Sequence, residues 1–114
     1  MITVVGIKSC DTCRKALAWL KAEGLAHHFH DLRADGLDKT RVAGWIEACG
    51  WEAVLNRRST TWRGLSDAEK SDVDANTALA LIMAHPTLAK RPVFEQKGGT
   101  YVGFTDTVKV SLKA

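Results

Sequence analysis

Two cysteines separated by two residues are the feature of this sequence that most clearly indicates chemistry. Cys10 and Cys13 follow an apolar, β-branched run and precede a helical pattern. Thiol chemistry requires the thiolate, and a free thiol with a pKa of about 8.5 is only about 3% ionised at pH 7. The unpaired N–H groups at a helix start favour a negative charge. The sequence therefore predicts an attacking Cys10 in an exposed turn and a resolving Cys13 one turn along, with Lys8 and Arg14 as flanking cations.

Two other interpretations of this pair remain open. The first is a structural zinc site, which needs two further ligands because no second cysteine pair exists. The cluster His27, His28 and His30 can supply them. The second is a pair of buried, unreactive thiols. The strand–turn–helix context disfavours both, so no metal is expected. Cys49 lies on an apolar helical stripe and is predicted to be structural.

Arginines form the second group of candidate residues. Arg57, Arg58 and Arg63 alternate with hydroxyl side chains, a composition that suits an oxyanion or carboxylate site. A solvated basic loop is the alternative, and it is favoured for Arg63, while Trp62 is expected to pack on the core. Farther along, Pro92 opens a predicted strand, where proline marks an edge, a turn or a cis bond.

Hydrophobic periodicity predicts the elements that position these residues. The apolar run Ile2 to Ile7 indicates a strand buried on both faces. A helix then begins near Asp11 or Thr12 and ends at Gly24. Residues 27–32 indicate a second strand, and the helix between the two makes a parallel, right-handed crossover the expected connection.

The rest of the chain is predicted to contain helices followed by a hairpin. Asp38 caps a helix that Gly50 closes, residues 56–63 form a loop, and Asp74 caps a third helix that Pro86 interrupts. In this third helix the residues expected to face inward are Leu79, Ile82 and Met83. Residues 92–95 and 100–104 form a hairpin around Lys97-Gly98-Gly99, and residues 105–112 form a final helix.

This order of elements predicts one α/β domain over residues 1–114. The expected fold is a thioredoxin-like mixed sheet of about four strands flanked by helices. Its core comprises residues 1–34 and 88–114, with a helical insertion at about 37–86. The composition, 46% hydrophobic and 25% charged, is typical of a globular domain and argues against a disordered or collagen-like chain.

The net charge and the number of cysteines indicate which partners and which cellular compartment to expect. The net charge of +3 is small and interleaved, so it does not indicate nucleic-acid binding. No signal peptide is recognisable, and the longest uncharged run, residues 77–89, is shorter than the roughly 20 residues of a membrane span. Three cysteines do not fit a secreted disulfide framework. A cytoplasmic protein without membrane contact is expected.

Several spaced motifs resemble the ArsC/Spx family, nearly from end to end. Residues 8–16 resemble the active-site turn of that family. Residues 56–63, Arg91-Pro92-Val93 and Val102-Gly103-Phe104 continue the resemblance, which is closest to the YffB-like branch of proposed glutathione-dependent thiol reductases. The set is much more specific than a Cys-x-x-Cys motif alone.

The resemblance implies a thioredoxin-like fold with a helical insertion, in which Cys10 is the nucleophile and Pro92 follows a cis bond. Arg91 and either Arg57 or Arg58 would lie beside the thiol and bind the anion. The full set expected to contact the anion or glutathione is Lys8, Arg14, Arg57, Arg58, Arg91 and Pro92.

The implied function is a glutathione-dependent thiol–disulfide oxidoreductase, in which glutathione or Cys13 resolves the adduct on Cys10. Glutathione is then a co-substrate, no cofactor is tightly bound, and the substrate is a small thiol compound, an oxyanion or a protein disulfide. Arsenate reductases of the family have His-Asn-Pro where this chain has Ile7-Lys8-Ser9, and serine at Cys13, which leaves arsenate reduction itself open. The alternative is an Spx-like redox-sensing regulator that binds RNA polymerase. A monomer is expected.

Overall fold

The computed structural model describes residues 1–114, which form two compact units, Met1–Gly36 with Arg91–Ala114, and Leu37–Lys90. The strands and helices, in chain order, are β1 (Ile2–Gly6), α1 (Asp11–Ala22), β2 (His27–Asp31), α2 (Lys39–Cys49), α3 (Trp51–Val54), α4 (Thr60–Arg63), α5 (Asp67–Lys70), α6 (Ala75–Ala84), a 3₁₀ turn (Pro86–Leu88), β3 (Val93–Gln96), β4 (Gly99–Val102) and α7 (Asp106–Lys113).

The first unit contains a mixed four-stranded sheet in the order β2-β1-β3-β4. β1 is parallel to β2 and antiparallel to β3, and β3 forms an antiparallel hairpin with β4. This arrangement confirms the predicted α/β, thioredoxin-like class. Within β1, Val4 and Val5 point to opposite faces and both are fully buried. Because this central strand is covered on both faces, apolar and polar residues do not alternate along it, which explains its continuous apolar sequence.

One face of this sheet packs against α1 and α7. The shared core consists of Ile2, Val4, Ala16, Leu20, Phe94, Val108 and Leu112. The buried residues of α1 are Cys13, Ala16 and Leu20, which lie on one face of the helix. The helix begins at Asp11, as predicted, but its N-cap is the residue before, not Asp11 or Thr12. Cys10 is the N-cap, because its backbone is extended and its carbonyl accepts the first helical hydrogen bond, from the N–H of Arg14 at 3.0 Å.

The hairpin of the first unit is tighter than predicted. Gln96 pairs with Gly99, so Lys97 and Gly98 alone form the turn and Gly99 already belongs to β4. Two-residue turns of this kind require a positive φ, which Gly98 supplies at 93°. After β4, the Thr105 side chain caps α7 by accepting the N–H of Val108 at 3.2 Å.

The second unit is helical, and α2 packs against α3 and α6. The predicted boundaries of α2 are confirmed, since Asp38 accepts the N–H of Arg41 at 2.6 Å and Gly50 ends the helix with a φ of 88°. α6 begins after Asp74 and ends before Pro86, as predicted, and Pro86 starts the 3₁₀ turn. No helix of either unit combines the length and the apolar character that crossing a membrane requires.

Two expectations for the second unit are wrong. On α6, Ala78, Leu81 and Ile82 are buried, whereas the predicted Leu79 and Met83 are only half-buried. Almost every residue of α6 is apolar, so periodicity does not define its inner face. The loop predicted for residues 56–63 also contains a helical turn, α4. Its signal is Ser59, whose hydroxyl accepts the N–H of Trp62 at 3.1 Å.

Candidate active site

Cys10 lies in the turn that connects the end of β1 to the start of α1. Its N–H donates to the carbonyl of Ile7 at 3.1 Å, which closes a turn with Lys8 and Ser9 exposed at its tip. Cys10 itself is half-buried. The sulfur therefore has access to solvent while it faces the first N–H groups of a helix.

Several groups around the Cys10 sulfur favour its thiolate form. Partial burial by itself raises the pKa of Cys10, but hydrogen bonds from the N–H and the thiol of Cys13 and from the Arg91 side chain lower this pKa by more. The N–H of Thr12 acts in the same direction. The Cys10 side chain forms no capping hydrogen bond at the helix start. The N–H groups there therefore act on the negative charge that develops on the sulfur when the thiol loses its proton.

Cys13 has the opposite character. It is fully buried, and burial, followed by the hydrogen bond and the charge of the neighbouring Cys10, raises its pKa to about 11. The N–H of Ile7 lowers the pKa of Cys13 but does not outweigh burial. Both residues are free thiols. The pair thus consists of an accessible sulfur that ionises readily and a buried sulfur that donates its hydrogen to the first.

The cation that reaches the Cys10 sulfur is Arg91, from the segment before β3. The Arg91–Pro92 peptide bond is cis, which confirms the expectation for Pro92. Pro92 is buried, and its carbonyl accepts the N–H of Gly103 at 2.8 Å, so β4 fixes this segment. The structure therefore brings Cys10, Cys13, Arg91 and Pro92 together within the first unit.

The two cations that flank the motif in sequence have other neighbours. Arg14 is exposed on α1 and forms an ion pair with Asp11. Lys8 is exposed. The pKa of Asp31 is lowered chiefly by hydrogen bonds from the N–H groups of Ala34 and Arg33, and the charge of Lys8 lowers it further. Contact of Lys8 or Arg14 with a ligand stays a prediction.

Arg57 and Arg58 belong to the second unit, on a loop that its own sequence shapes. The side-chain oxygen of Asn56 accepts the N–H of Arg58 at 3.1 Å, and the backbone carbonyl of Asn56 accepts the Ser59 hydroxyl at 2.9 Å. The N–H of Asn56 donates to the carbonyl of Leu88 at 2.8 Å, which anchors the loop on the second unit. The loop is therefore held by hydrogen bonds at each end.

The two arginines of this loop differ in their neighbours. The Arg57 guanidinium lies 5.4 Å from the centre of the Trp51 ring and 3.7 Å from a carboxylate oxygen of Glu52. Arg58 is exposed, and its carbonyl accepts the guanidinium of Arg63 at 3.2 Å. Both border a cavity of about 360 Å³, together with Glu52, Leu55, Asn56 and Lys90. Within the second unit this is a mainly cationic recess.

The side chains considered for a zinc site have local partners. His27 Nδ1 lies 2.8 Å from the carbonyl of Leu25, and His30 Nε2 lies 2.7 Å from the carbonyl of Gly36. No group of three or more histidine, cysteine or acidic side chains is arranged to hold a metal ion. Cys49 is half-buried, and burial raises its pKa.

Gly6 is a residue of the site that sequence reasoning missed. A Cβ at this position would overlap the sulfur of Cys13. The signal was present as a glycine at the end of a strand otherwise rich in β-branched residues, but only the packed structure shows what it approaches.

Comparison with known proteins gives consistent relationships. Residues 5–108 match the sequence model of the ArsC family. An uncharacterised protein of Haemophilus influenzae is 45% identical over 106 residues, 93% of either chain. The global transcriptional regulator Spx 2 of Lactococcus lactis is 26% identical over 108 residues, 93% of this chain and 81% of that protein.

Solved structures agree with this grouping. A YffB protein superimposes with a TM-score of 0.95 at 41% identity, over 100% of both chains. An arsenate reductase-related protein from Brucella melitensis gives a TM-score of 0.77 at 40% identity, covering 96% of this chain and 92% of that one. An arsenate reductase from Vibrio cholerae, at 18% identity and a TM-score of 0.77, shares the fold over 90% of this chain and 88% of its own.

Proposed function

Because the chain belongs to the ArsC family, we propose that it is a thiol oxidoreductase that uses Cys10 as its nucleophile and glutathione as its reductant. The observation that carries this proposal is the Cys10 thiol at the start of α1. Its pKa is lowered, despite partial burial, by donors from Cys13 and Arg91. A thiol of this kind attacks disulfides near neutral pH, where an ordinary cysteine is largely protonated.

The reaction begins with attack of the Cys10 thiolate on one sulfur of a substrate disulfide. A bond forms between Cys10 and that sulfur, the substrate disulfide breaks, and the leaving thiolate takes a proton from water. A glutathione thiolate then attacks the sulfur bound to Cys10, which frees the Cys10 thiolate and releases a mixed disulfide of glutathione and the substrate. A second glutathione thiolate attacks the glutathione sulfur of this mixed disulfide, so that the second substrate thiolate leaves, takes a proton from water, and oxidised glutathione forms. The net change is transfer of two electrons from two glutathione molecules to the substrate disulfide.

Cys13 provides a second way to resolve the adduct. After losing its proton, its sulfur attacks Cys10, releases the bound thiol, and leaves a Cys10–Cys13 disulfide. Two glutathione molecules then reduce this disulfide and become oxidised glutathione. The thiol hydrogen bond between the two residues supports this route because it places the sulfurs next to each other.

Arginines are proposed to bind the anionic groups of glutathione or of an oxyanion substrate. Arg91 is the candidate beside the thiol. Of the pair on the loop we favour Arg58, because the Arg57 guanidinium already faces Trp51 and Glu52. A monomer in the reducing cytoplasm, free of tightly bound cofactors, fits this chemistry. Small disulfides, oxyanions and protein disulfides are the substrate classes.

The test is glutathione-dependent reduction of bis(2-hydroxyethyl) disulfide by wild type, Cys10→Ser, Cys13→Ser and Cys49→Ser. We expect Cys10→Ser to abolish turnover and Cys49→Ser to leave it unchanged. Turnover retained by Cys13→Ser assigns resolution to glutathione, and its loss assigns resolution to Cys13. Cys49→Ser is the matched control, since Cys49 lies on α2 outside the pair. Full activity of Cys10→Ser excludes Cys10 as nucleophile.

The second candidate is a redox-sensing regulator that binds RNA polymerase. The supporting observations are the Cys10–Cys13 pair and relatives named global transcriptional regulators Spx, at 26% identity over 93% of this chain. Capture of RNA polymerase by the reduced and the oxidised protein tests this function. A difference between the two states supports it, and no capture in either state excludes it.

A further inference from the structure

Gly6 has no side chain at the point where the buried Cys13 sulfur packs against the sheet. A Cβ built on Gly6 would overlap the Cys13 sulfur, whereas its next neighbours, Cβ of Cys13 at 3.4 Å and Cε1 of Phe29 at 3.6 Å, can be accommodated. The φ of Gly6 is not positive, so backbone conformation does not demand glycine here. The requirement is for space, and the sulfur is the atom that needs it.

The strand end that carries Gly6 is held in place and cannot retreat from the sulfur. Gly6 pairs with Asp31 of β2, and its carbonyl accepts the N–H of Leu32 at 2.9 Å. The next N–H, that of Ile7, donates to the Cys13 sulfur. The Gly6–Ile7 peptide thus approaches the Cys13 sulfur closely, and the same sulfur is hydrogen-bonded to Cys10.

We propose that Gly6 is a positioning residue for the redox role of Cys13, because the recess left by its missing side chain holds the Cys13 sulfur where it can displace a thiol from Cys10. This inference rests on the proposed function. In the step concerned, Cys13 gives up its proton, a Cys10–Cys13 bond forms, and the Cys10–glutathione bond breaks. The released glutathione thiolate takes up a proton.

The direct test follows that step in protein carrying glutathione on Cys10. The variants are Gly6→Ala and, as a control, Gly44→Ala, since a Cβ at Gly44 of α2 meets nothing within 4 Å. Mass spectrometry measures the rate at which glutathione leaves and the Cys10–Cys13 disulfide forms. We expect Gly6→Ala to slow this rate by about 10- to 100-fold, because misplacement of a reacting atom by ~1 Å has that effect. We expect no change with Gly44→Ala. A wild-type rate for folded Gly6→Ala overturns the inference.

A stability cycle covers the case in which Gly6→Ala does not fold. Cys13→Ala removes the sulfur, so Gly6→Ala should be tolerated in the Cys13→Ala background. An equal loss of stability in both backgrounds overturns the inference, because Gly6 is then needed for another reason.

The outcomes also separate this inference from the proposed function. Wild type that keeps glutathione on Cys10 indefinitely overturns both the resolving role of Cys13 and the inference, while leaving Cys10 as nucleophile. Failure of Cys10 to take up glutathione when the protein is treated with oxidised glutathione contradicts the proposed function.

Discussion

The side chain of Arg91 hydrogen-bonds to the sulfur of Cys10, although the two residues lie near opposite ends of the chain. Arg91 precedes the cis bond to Pro92, and the Pro92 carbonyl is tied to Gly103. A guanidinium is permanently charged, so it favours the thiolate at every pH of interest. The reactivity of Cys10 therefore depends on a distant segment as well as on the helix it begins.

We expect Arg91→Ala to raise the pKa of Cys10, because a charge-assisted hydrogen bond to the thiolate is lost. Alkylation of Cys10 by iodoacetamide at pH 7 should slow by about tenfold. The measurement is the alkylation rate against pH, with Lys97→Ala in the exposed hairpin turn as the control. If the two variants gave the same pH profile, the charge of Arg91 would not be acting on the sulfur.

The raised pKa of Cys13 predicts a pH-dependent loss of stability. The folded protein holds this proton up to a pKa of about 11, whereas the unfolded chain releases it near pH 8.5. Rising pH therefore favours unfolding between these values, by about 3 kcal/mol in total. Urea unfolding at pH 7.5, 9 and 10.5 should show this decline in wild type relative to Cys13→Ser, which has no titrating thiol. Parallel stabilities of the two proteins across this range would contradict the assignment.

Arg58 and Arg57 should respond differently to substitution. We expect Arg58→Ala to raise the KM for glutathione by about tenfold, the effect of losing one charge-assisted hydrogen bond. Arg57→Ala should change this KM little, since the Arg57 guanidinium faces Trp51 and Glu52. Steady-state kinetics with glutathione as the varied substrate decides between them. A larger effect at Arg57 would reverse the assignment.

The cap of α2 gives a prediction about stability. Asp38→Ala removes the acceptor for the N–H of Arg41 and should lower the free energy of unfolding by about 1 kcal/mol. Asp38→Asn keeps a side-chain oxygen and should be nearly neutral. Urea unfolding measures both, and equal losses would mean that charge, rather than the cap hydrogen bond, supplies the stabilisation.

Much of the fold follows from local signals in the sequence. β1 is a continuous apolar run, Asp38 and Asp74 accept N–H groups at helix starts, and Gly50 and Gly98 take positive φ values where the chain turns. Each of these signals acts through a few neighbouring residues, so it can be recognised without knowing the rest of the structure.

The features that local sequence patterns could not predict depend on packing between segments that are distant in the sequence. The almost wholly apolar α6 left the exposure of Leu79 and Met83 undetermined, because only the neighbouring helices select its buried face. Proximity of Arg91 to Cys10 was expected from family resemblance alone. The space that Gly6 leaves for Cys13 becomes visible only when β1 and α1 are packed together.

Cys10 is the N-cap of α1 and also carries the sulfur that we propose as the nucleophile, and these two roles are thermodynamically linked. Interactions at the helix start that stabilise the thiolate also stabilise the folded protein at pH values above the pKa of the folded thiol. A mixed disulfide on Cys10 has no negative charge, so this stabilisation of the folded state is lost. The first turn of α1 should consequently fray more in the mixed disulfide than in the protein with a free Cys10 thiolate. Amide hydrogen exchange at Thr12 and Cys13 would then distinguish these two states of the proposed reaction.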